Sequence, residues 1–406
     1  MPLPLLAALL LAAEPATPPP PAGAPPGAAA EERRKLEEQI VRELGVEPGQ
    51  GAAPATAGGT AGDGGTEAPP APPAGQGTQG GSALGRVLLL PDIAVVGRTA
   101  AVYYRRDVEV ESPRDLSIVG PAGTVKPLLQ EVELALQAAV DPYARADVFI
   151  AFGAEGVEVE EAFLTTLSFP VGLQLKAGRL KSPFGRHNQQ HPHGWDLVDG
   201  PLALQRVLGP DGLAGDGADL AWLAPLPWFA ELHLAWQEVA PGLAGGRQST
   251  GLARLVQYLD LAEGTSLGVG LSGAWKLSGL GGSKNLAGAD LYLKIRPPRG
   301  RAYVALQGEM VAHNLAAAGG GERAGGYLQA LWRSSPHWAF GARYDDAPAV
   351  GGGRERRWSA LAGFLPSEFQ RLRLQVSQDR LPGGRDGLEV LLHLEFGIGA
   401  HGAHPF

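Results

Sequence analysis

The chain has 406 residues, with 59 Gly, 35 Pro, no Cys and a formal net charge of -8. The acidic balance excludes the basic stripe a nucleic-acid binder lays along phosphates, and the lack of cysteine excludes disulfide staples and thiolate metal sites. No stretch reaches the run of about 18 apolar residues that a spanning helix needs, which excludes a helical membrane protein.

Residues 1 to 13, Met-Pro-Leu-Pro-Leu-Leu-Ala-Ala-Leu-Leu-Leu-Ala-Ala, have the length of the apolar core of an export signal, though no Lys or Arg precedes them. The expectation is a signal peptide over 1–16. Residues 17–85 are Pro/Ala-rich and then Gly/Ala/Pro-rich, a composition that buries too little apolar surface to repay ordering, so a disordered periplasmic tail is expected. One short helix is predicted inside it, over 29–44. Leu36, Ile40, Val41 and Leu44 share a face there, Glu31 and Lys35 stand four apart, and Gly45 ends it.

From Leu88 the texture turns β-branched and apolar, and Ala94 to Tyr104 reads as an opening strand despite Gly97. Period-2 patterning then recurs to the end of the chain. Val132, Leu134, Leu136, Ala138 and Val140 oppose Glu131, Glu133 and Gln137; Leu291, Leu293 and Ile295 oppose Asp290, Tyr292, Lys294 and Arg296. Arg371, Arg373, Gln375, Ser377 and Asp379 oppose Leu372, Leu374 and Val376. Such segments suit tilted strands with one apolar and one polar face. A soluble sandwich shows the same alternation, so the connections must decide.

One set of connections is very short: at Asp141-Pro-Tyr, Phe169-Pro-Val, Ala224-Pro-Leu-Pro, Ala262-Glu-Gly, Pro297-Pro-Arg-Gly, Ser334-Ser-Pro and Leu365-Pro-Ser-Glu. Longer Gly-rich or charged stretches fall near 182–216, 240–249, 277–286, 314–323, 347–354 and 380–386. Short and long alternate, as periplasmic turns and extracellular loops do in an outer-membrane barrel. Fifteen strands fit between Leu129 and Ile398, and parity then requires one earlier strand to carry a periplasmic N-terminus across. The fold class predicted is therefore all-β, a transmembrane antiparallel β-barrel over 90–406 with about 16 strands and both ends in the periplasm. Fourteen strands result if a weak segment fails to span, 251–261 being the least clean. Trp228, Phe229, Trp236, Trp275, Trp332, Trp338, Tyr344 and Trp358 lie mostly near strand ends, where aromatic belts form.

The stretch from Ala177 through Gly178-Arg179, Phe184-Gly185 and His191-Pro-His-Gly-Trp-Asp opens the longest predicted loop. With Pro91-Asp-Ile-Ala-Val-Val, Glu131-Val-Glu-Leu, Asp141-Pro-Tyr-Ala-Arg-Ala-Asp, Glu160-Glu-Ala-Phe-Leu-Thr-Thr, Gly185-Arg-His-Asn and the terminal Gly399-Ala-His-Gly-Ala-His-Pro-Phe406, it resembles a porin-like family of Gram-negative outer-membrane proteins. Members of this family are labelled zinc-regulated TonB-dependent outer-membrane receptors; this chain has no segment that reads as a plug domain. The resemblance covers nearly all of 90–406. It implies an outer-membrane barrel, and the terminal aromatic resembles the signal read by the barrel assembly machinery.

The loop's apolar members, Trp195, Leu197, Val198, Leu202, Leu204, Val207 and Leu208, need burial, which favours folding into the lumen over capping it from outside. Arg179, Lys181, Arg186, Asp196 and Asp199 are then candidate pore-lining or constriction residues, with Glu133, Asp147 and Glu160 as acidic counterparts. His187, His191 and His193 form a candidate metal site, zinc among the ions imidazole suits, with Asp196 or Asp199 completing the ligands. Surface solvation or lumenal hydrogen bonding is the plainer role for these histidines. His401 and His404 form a weaker candidate. No resident cofactor is expected, and no Gly-x-Ser-x-Gly elbow points to an enzyme. The expected function is passive diffusion of small hydrophilic solutes or ions, with a metal-binding receptor or uptake protein as the alternative. Expected partners are outer-membrane lipid and, through the tail, periplasmic proteins or peptidoglycan.

Overall fold

A computed structural model describes residues 91–106, 123–154, 156–209, 211–239, 248–279, 282–298, 300–315, 323–349, 352–384 and 386–399. The predicted signal peptide, the tail with its helix, and His401 and His404 lie outside the described residues.

The strands are β1 Asp92–Arg106, β2 Val125–Asp141, β3 Ala144–Gly153, β4 Gly156–Thr166, β5 Leu173–Lys181, β6 Ala214–Leu223, β7 Phe229–Val239 and β8 Gln248–Ala262. They continue as β9 Thr265–Gly279, β10 Gly282–Ile295, β11 Tyr303–Leu315, β12 Arg323–Arg333, β13 Trp338–Pro348, β14 Arg354–Ser367, β15 Gln370–Arg380 and β16 Asp386–Gly399. Each pairs antiparallel with its neighbours in sequence, and β1 pairs with β16 from Ala94–Gly399 to Arg106–Gly387, which closes a 16-stranded barrel. Closure leaves no sheet edge, so ladder N–H and C=O groups are satisfied within the apolar slab.

The alternation resolves into an inverted arrangement. On β15 the inward Arg373, Gln375, Ser377 and Asp379 are buried, while Leu372, Leu374 and Val376 face outward and exposed. The outer face carries aromatic rings near both ends of the strands: Trp338 packs on Phe364 at 5.0 Å and Tyr344 on Trp358 at 5.4 Å. Trp338 and Tyr344 are separated by about 20 Å of extended strand, so the two ring pairs lie toward opposite ends of β13. Leu374→Arg, which places a charge in that band, is expected to lower stability by about 2–4 kcal/mol. Urea unfolding in lipid vesicles measures it, and an unchanged midpoint would remove Leu374 from the lipid face.

The segment that looked least clean, 251–261, spans fully within β8. Its pattern is blurred because Leu252 faces inward and is buried in an apolar cluster, so both of its faces are apolar there. The same holds for β1, where Val96, Ala100 and Val102 are inward and buried. Gly97 does not break that strand. It pairs with Phe396, whose ring lies across the space a Cβ would take.

The rhythm of connections is less strict than expected. Only two residues join Gly153 to Gly156, and the stretch expected as a loop over 277–286 is mostly strand, β9 running to Gly279 and β10 starting at Gly282. Gly and Ser are poor strand signals, yet ladder pairing carries them beyond the apolar band as an extended ribbon. The remaining short turns fall where predicted, and the barrel's first and last strands both end on their side, the periplasmic side in such a fold.

Candidate functional site in the barrel lumen

Residues 182–213 join β5 to β6 and fold inward. They form two 3-10 turns, His187–Gln189 and Pro192–Gly194, and a short helix α1, Leu202–Leu208. Phe184, Leu204, Leu208 and Leu213 pack with Val239, Leu252, Leu286 and Val311 of the wall; Leu197 and Val198 pack with Val102, Leu361 and Leu391. Burial of such side chains stabilises by about 1.5–3 kcal/mol each, which favours this seat over an extended loop in water.

Irregular backbone inside a barrel must find polar partners. The inward polar faces of the strands provide them. Gly185 N donates to Ser272 Oγ at 3.0 Å, His187 N to Glu309 Oε1 at 2.7 Å, Val198 N to Gln375 Oε1 at 2.9 Å and Leu202 N to Asp345 Oδ1 at 2.8 Å. Carbonyl oxygens are taken by guanidinium groups: Trp195 O by Arg373, Val198 O by Arg98, Gly200 O by Arg343 and His193 O by Arg371. Gly185 sits at φ 65, in the left-handed region, with its Cβ position against the Glu309 carboxylate, so only glycine fits this seat without strain.

The sequence-predicted charges separate into different roles. Asp199 is buried between Arg343 Nη2 at 2.7 Å and Arg357 Nη1 at 2.6 Å, and accepts from Gln375 Nε2 at 2.7 Å. Arg186 lies 4.0 Å over the Tyr292 ring and donates to Tyr258 Oη at 2.9 Å. Asp196 accepts from Gln329 Nε2 at 3.2 Å, and burial pushes its carboxyl above the usual range in spite of Arg186, Arg371 and Arg373. Lys181 lines a cavity with Glu131, Glu160 and Pro192. Arg179 lies elsewhere, in the β4–β5 seam. Those strands pair only over Ala162–Thr165 and Lys176–Arg179, and its guanidinium reaches Val159 O at 2.6 Å and Glu158 Oε1 at 2.9 Å just beyond.

The histidines also divide. His187 stacks on Trp195 at 4.7 Å and joins no group of candidate metal ligands among the described residues. Burial and the nearby cations Arg343, Lys181 and Arg186 hold its pKa well below the ordinary imidazole value, so it is neutral. His191 and His193 instead stack 5.7 Å apart beside an acidic wall, with Phe149 on the other face of His191 at 4.6 Å. His191 Nδ1 lies 2.8 Å from Glu160 Oε2 and 3.0 Å from Glu133 Oε2, and Nε2 lies 2.8 Å from Glu161 Oε2. Burial lowers the proton affinity of His191, but its bonds to Glu133, Glu160 and Glu161 outweigh this and hold its pKa well above the ordinary value. A β-bulge sets this up. Phe149 pairs with Glu161 and Ile150 with Val159, so Glu160 is the extra residue and both consecutive carboxylates reach the histidine.

Sequence reasoning expected Asp196 or Asp199 beside the histidines, but Asp199 is held by Arg343 and Arg357 and Asp196 by Gln329. Glu133 and Glu160 were named only as counterparts of Arg179, Lys181 and Arg186, and Glu161 was missed because strict alternation sends neighbours to opposite faces. It also missed Arg343 and Arg357, whose signal was their position on inward faces opposite a loop that carries Asp199.

A closed 16-stranded barrel with a polar interior and the β5–β6 connection folded into it defines the class: an outer-membrane β-barrel with the porin fold. The chain resembles OprB of Pseudomonas putida (12% identity, 78% of this chain and 96% of that one, TM-score 0.54) and an anion-selective porin from Comamonas acidovorans (10%, 76% and 99%, 0.53). It likewise resembles the outer membrane channel DcaP of Acinetobacter baumannii (12%, 76% and 97%, 0.52). No family model matches. An uncharacterized protein of Aquifex aeolicus (strain VF5) is 30% identical over 328 residues, covering 68% of this chain and 70% of that protein, and the chain belongs to the family of that protein.

Proposed function

We propose that the protein is a passive channel for small hydrophilic solutes or ions across the outer membrane. The observation that carries this reading is the seating of residues 182–213 inside a polar-walled barrel, which makes the loop a constriction. Arg186, Asp196, Tyr258, Tyr292, Lys294 and Tyr303 are half-buried, and we assign the aqueous path to their part of the lumen. Purified protein in planar bilayers is expected to give discrete conductance steps. Folded barrel that inserts without conducting would overturn the reading.

A second reading, reception or uptake of a metal such as zinc with conduction minor, is favoured by the meeting of His191 and His193 with Glu131, Glu133, Glu160 and Glu161. The bilayer measurement separates the two. Recognition by the barrel assembly machinery through Phe406, and periplasmic or peptidoglycan contact through the tail, complete the proposal.

A further inference from the structure

We propose that the lumen holds a divalent first-row transition-metal ion between His191 Nδ1 on the inward loop and the carboxylates of Glu133 on β2 and Glu160 on β4, with Glu161 orienting the imidazole. This does not depend on conduction, since a closed barrel would bind the ion equally well.

Three observations support it. First, the ligand atoms of Glu133, Glu160 and His191 all lie within 4.8 Å of one another, and a second triad, Glu131, Glu133 and His193, shares Glu133. Neighbouring ligands of a tetrahedral ion at ordinary Zn–N and Zn–O lengths are about 3.3 Å apart. His191 Nδ1 is 2.8 and 3.0 Å from its two carboxylate oxygens, so a shift of about half an ångström admits the ion.

Second, the outer partner is already in place. Metal-ligating histidines hand their other ring N–H to a carboxylate, which fixes the tautomer and raises basicity. His191 Nε2 meets Glu161 Oε2 at 2.8 Å, and Glu161 is itself held by the Lys181 backbone N–H at 2.6 Å. Nδ1 is thereby turned toward Glu133 and Glu160, and an ion bound there displaces to solvent the proton that Nδ1 shares with them.

Third, the ring has too few protons for its neighbours. Three carboxylates crowd one imidazole, and Glu133 Oε2, on a side chain 2% exposed, receives no aligned hydrogen bond. Lys181 lines the cavity with Glu131 and Glu160, while Glu133, Glu160 and Glu161 all converge on the one imidazole of His191. A divalent ion offsets the carboxylate charge gathered there. The adjoining cavity, about 70 Å³, has room for water as a further ligand. A nitrogen in the set favours zinc-like ions over calcium or magnesium, which take oxygen alone.

The test is zinc titration of the full-length, EDTA-stripped barrel in detergent, followed by calorimetry and by metal content after gel filtration. The wild type is expected to retain zinc, to unfold at a higher temperature with zinc present, and to be unaffected by excess calcium. His191→Ala and the near-isosteric Glu160→Gln, each verified as folded by heat-modifiable mobility, are expected to bind at least tenfold more weakly. The double variant His401→Ala/His404→Ala is expected to bind like the wild type. The proposal fails if folded wild-type barrel takes up no zinc, if Glu160→Gln and His191→Ala bind as tightly as it does, or if binding disappears with His401 and His404.

Discussion

Replacing residues 187–208 with a short Gly/Ser linker is expected to raise single-channel conductance severalfold, because a 16-stranded barrel without its inward connection leaves an open aqueous lumen. The segment removed includes α1 and nearly all of the buried apolar loop side chains, and it touches walls as far apart as β4 and β15. Val239, Leu252, Leu286, Leu361 and Leu391 would then line a wet interior instead of a packed one. Ladder closure does not depend on the loop, so the barrel is expected to assemble, with a lower unfolding temperature. Conductance equal to that of the wild type, in protein of normal heat-modifiable mobility, would mean that the loop does not set the constriction.

The largest single-residue loss of stability is expected at Arg357. Its guanidinium, 1% exposed, meets Asp379 Oδ1 at 2.7 Å, Asp199 Oδ2 at 2.6 Å and Glu389 Oε1 at 3.1 Å, linking the loop to β15 and β16 at one point. Arg357→Ala removes one cation from three buried carboxylates, and breaking a buried pair in this way costs about 3–5 kcal/mol. Arg357→Lys keeps the charge but not the planar fork, so it is expected to recover only part of the loss. Urea unfolding in vesicles gives both values. If alanine costs less than about 1 kcal/mol, the range of an exposed pair, the cluster is solvated and Arg357 is no anchor.

Strand count and polarity were legible because β2, β10 and β15 alternate cleanly, and because parity exposed β1, whose inward Val96, Ala100 and Val102 conceal its period. The inward course of the loop was legible from its apolar content. Which charges would meet was not, because Asp199 finds its arginines 144 and 158 residues away along the chain. Nor does spacing distinguish His187 from His191 and His193. Their separation follows from Trp195 offering a ring to one and the β4 bulge offering adjacent carboxylates to another.

Arg98 stands on the first strand, paired across the closing seam with Glu395 of the last, and its guanidinium holds the carbonyl of Val198 in the middle of the lumen. The loop lies between β5 and β6 in sequence, but this contact and those to Gln375 and Arg373 are made to β1 and β15, at and beside the closing seam. The loop's seat is thus complete only when the cylinder is shut, because part of it is provided by the strands on either side of the seam. A barrel trapped with its seam open would lack both its wall and its constriction, so the two defects should appear together.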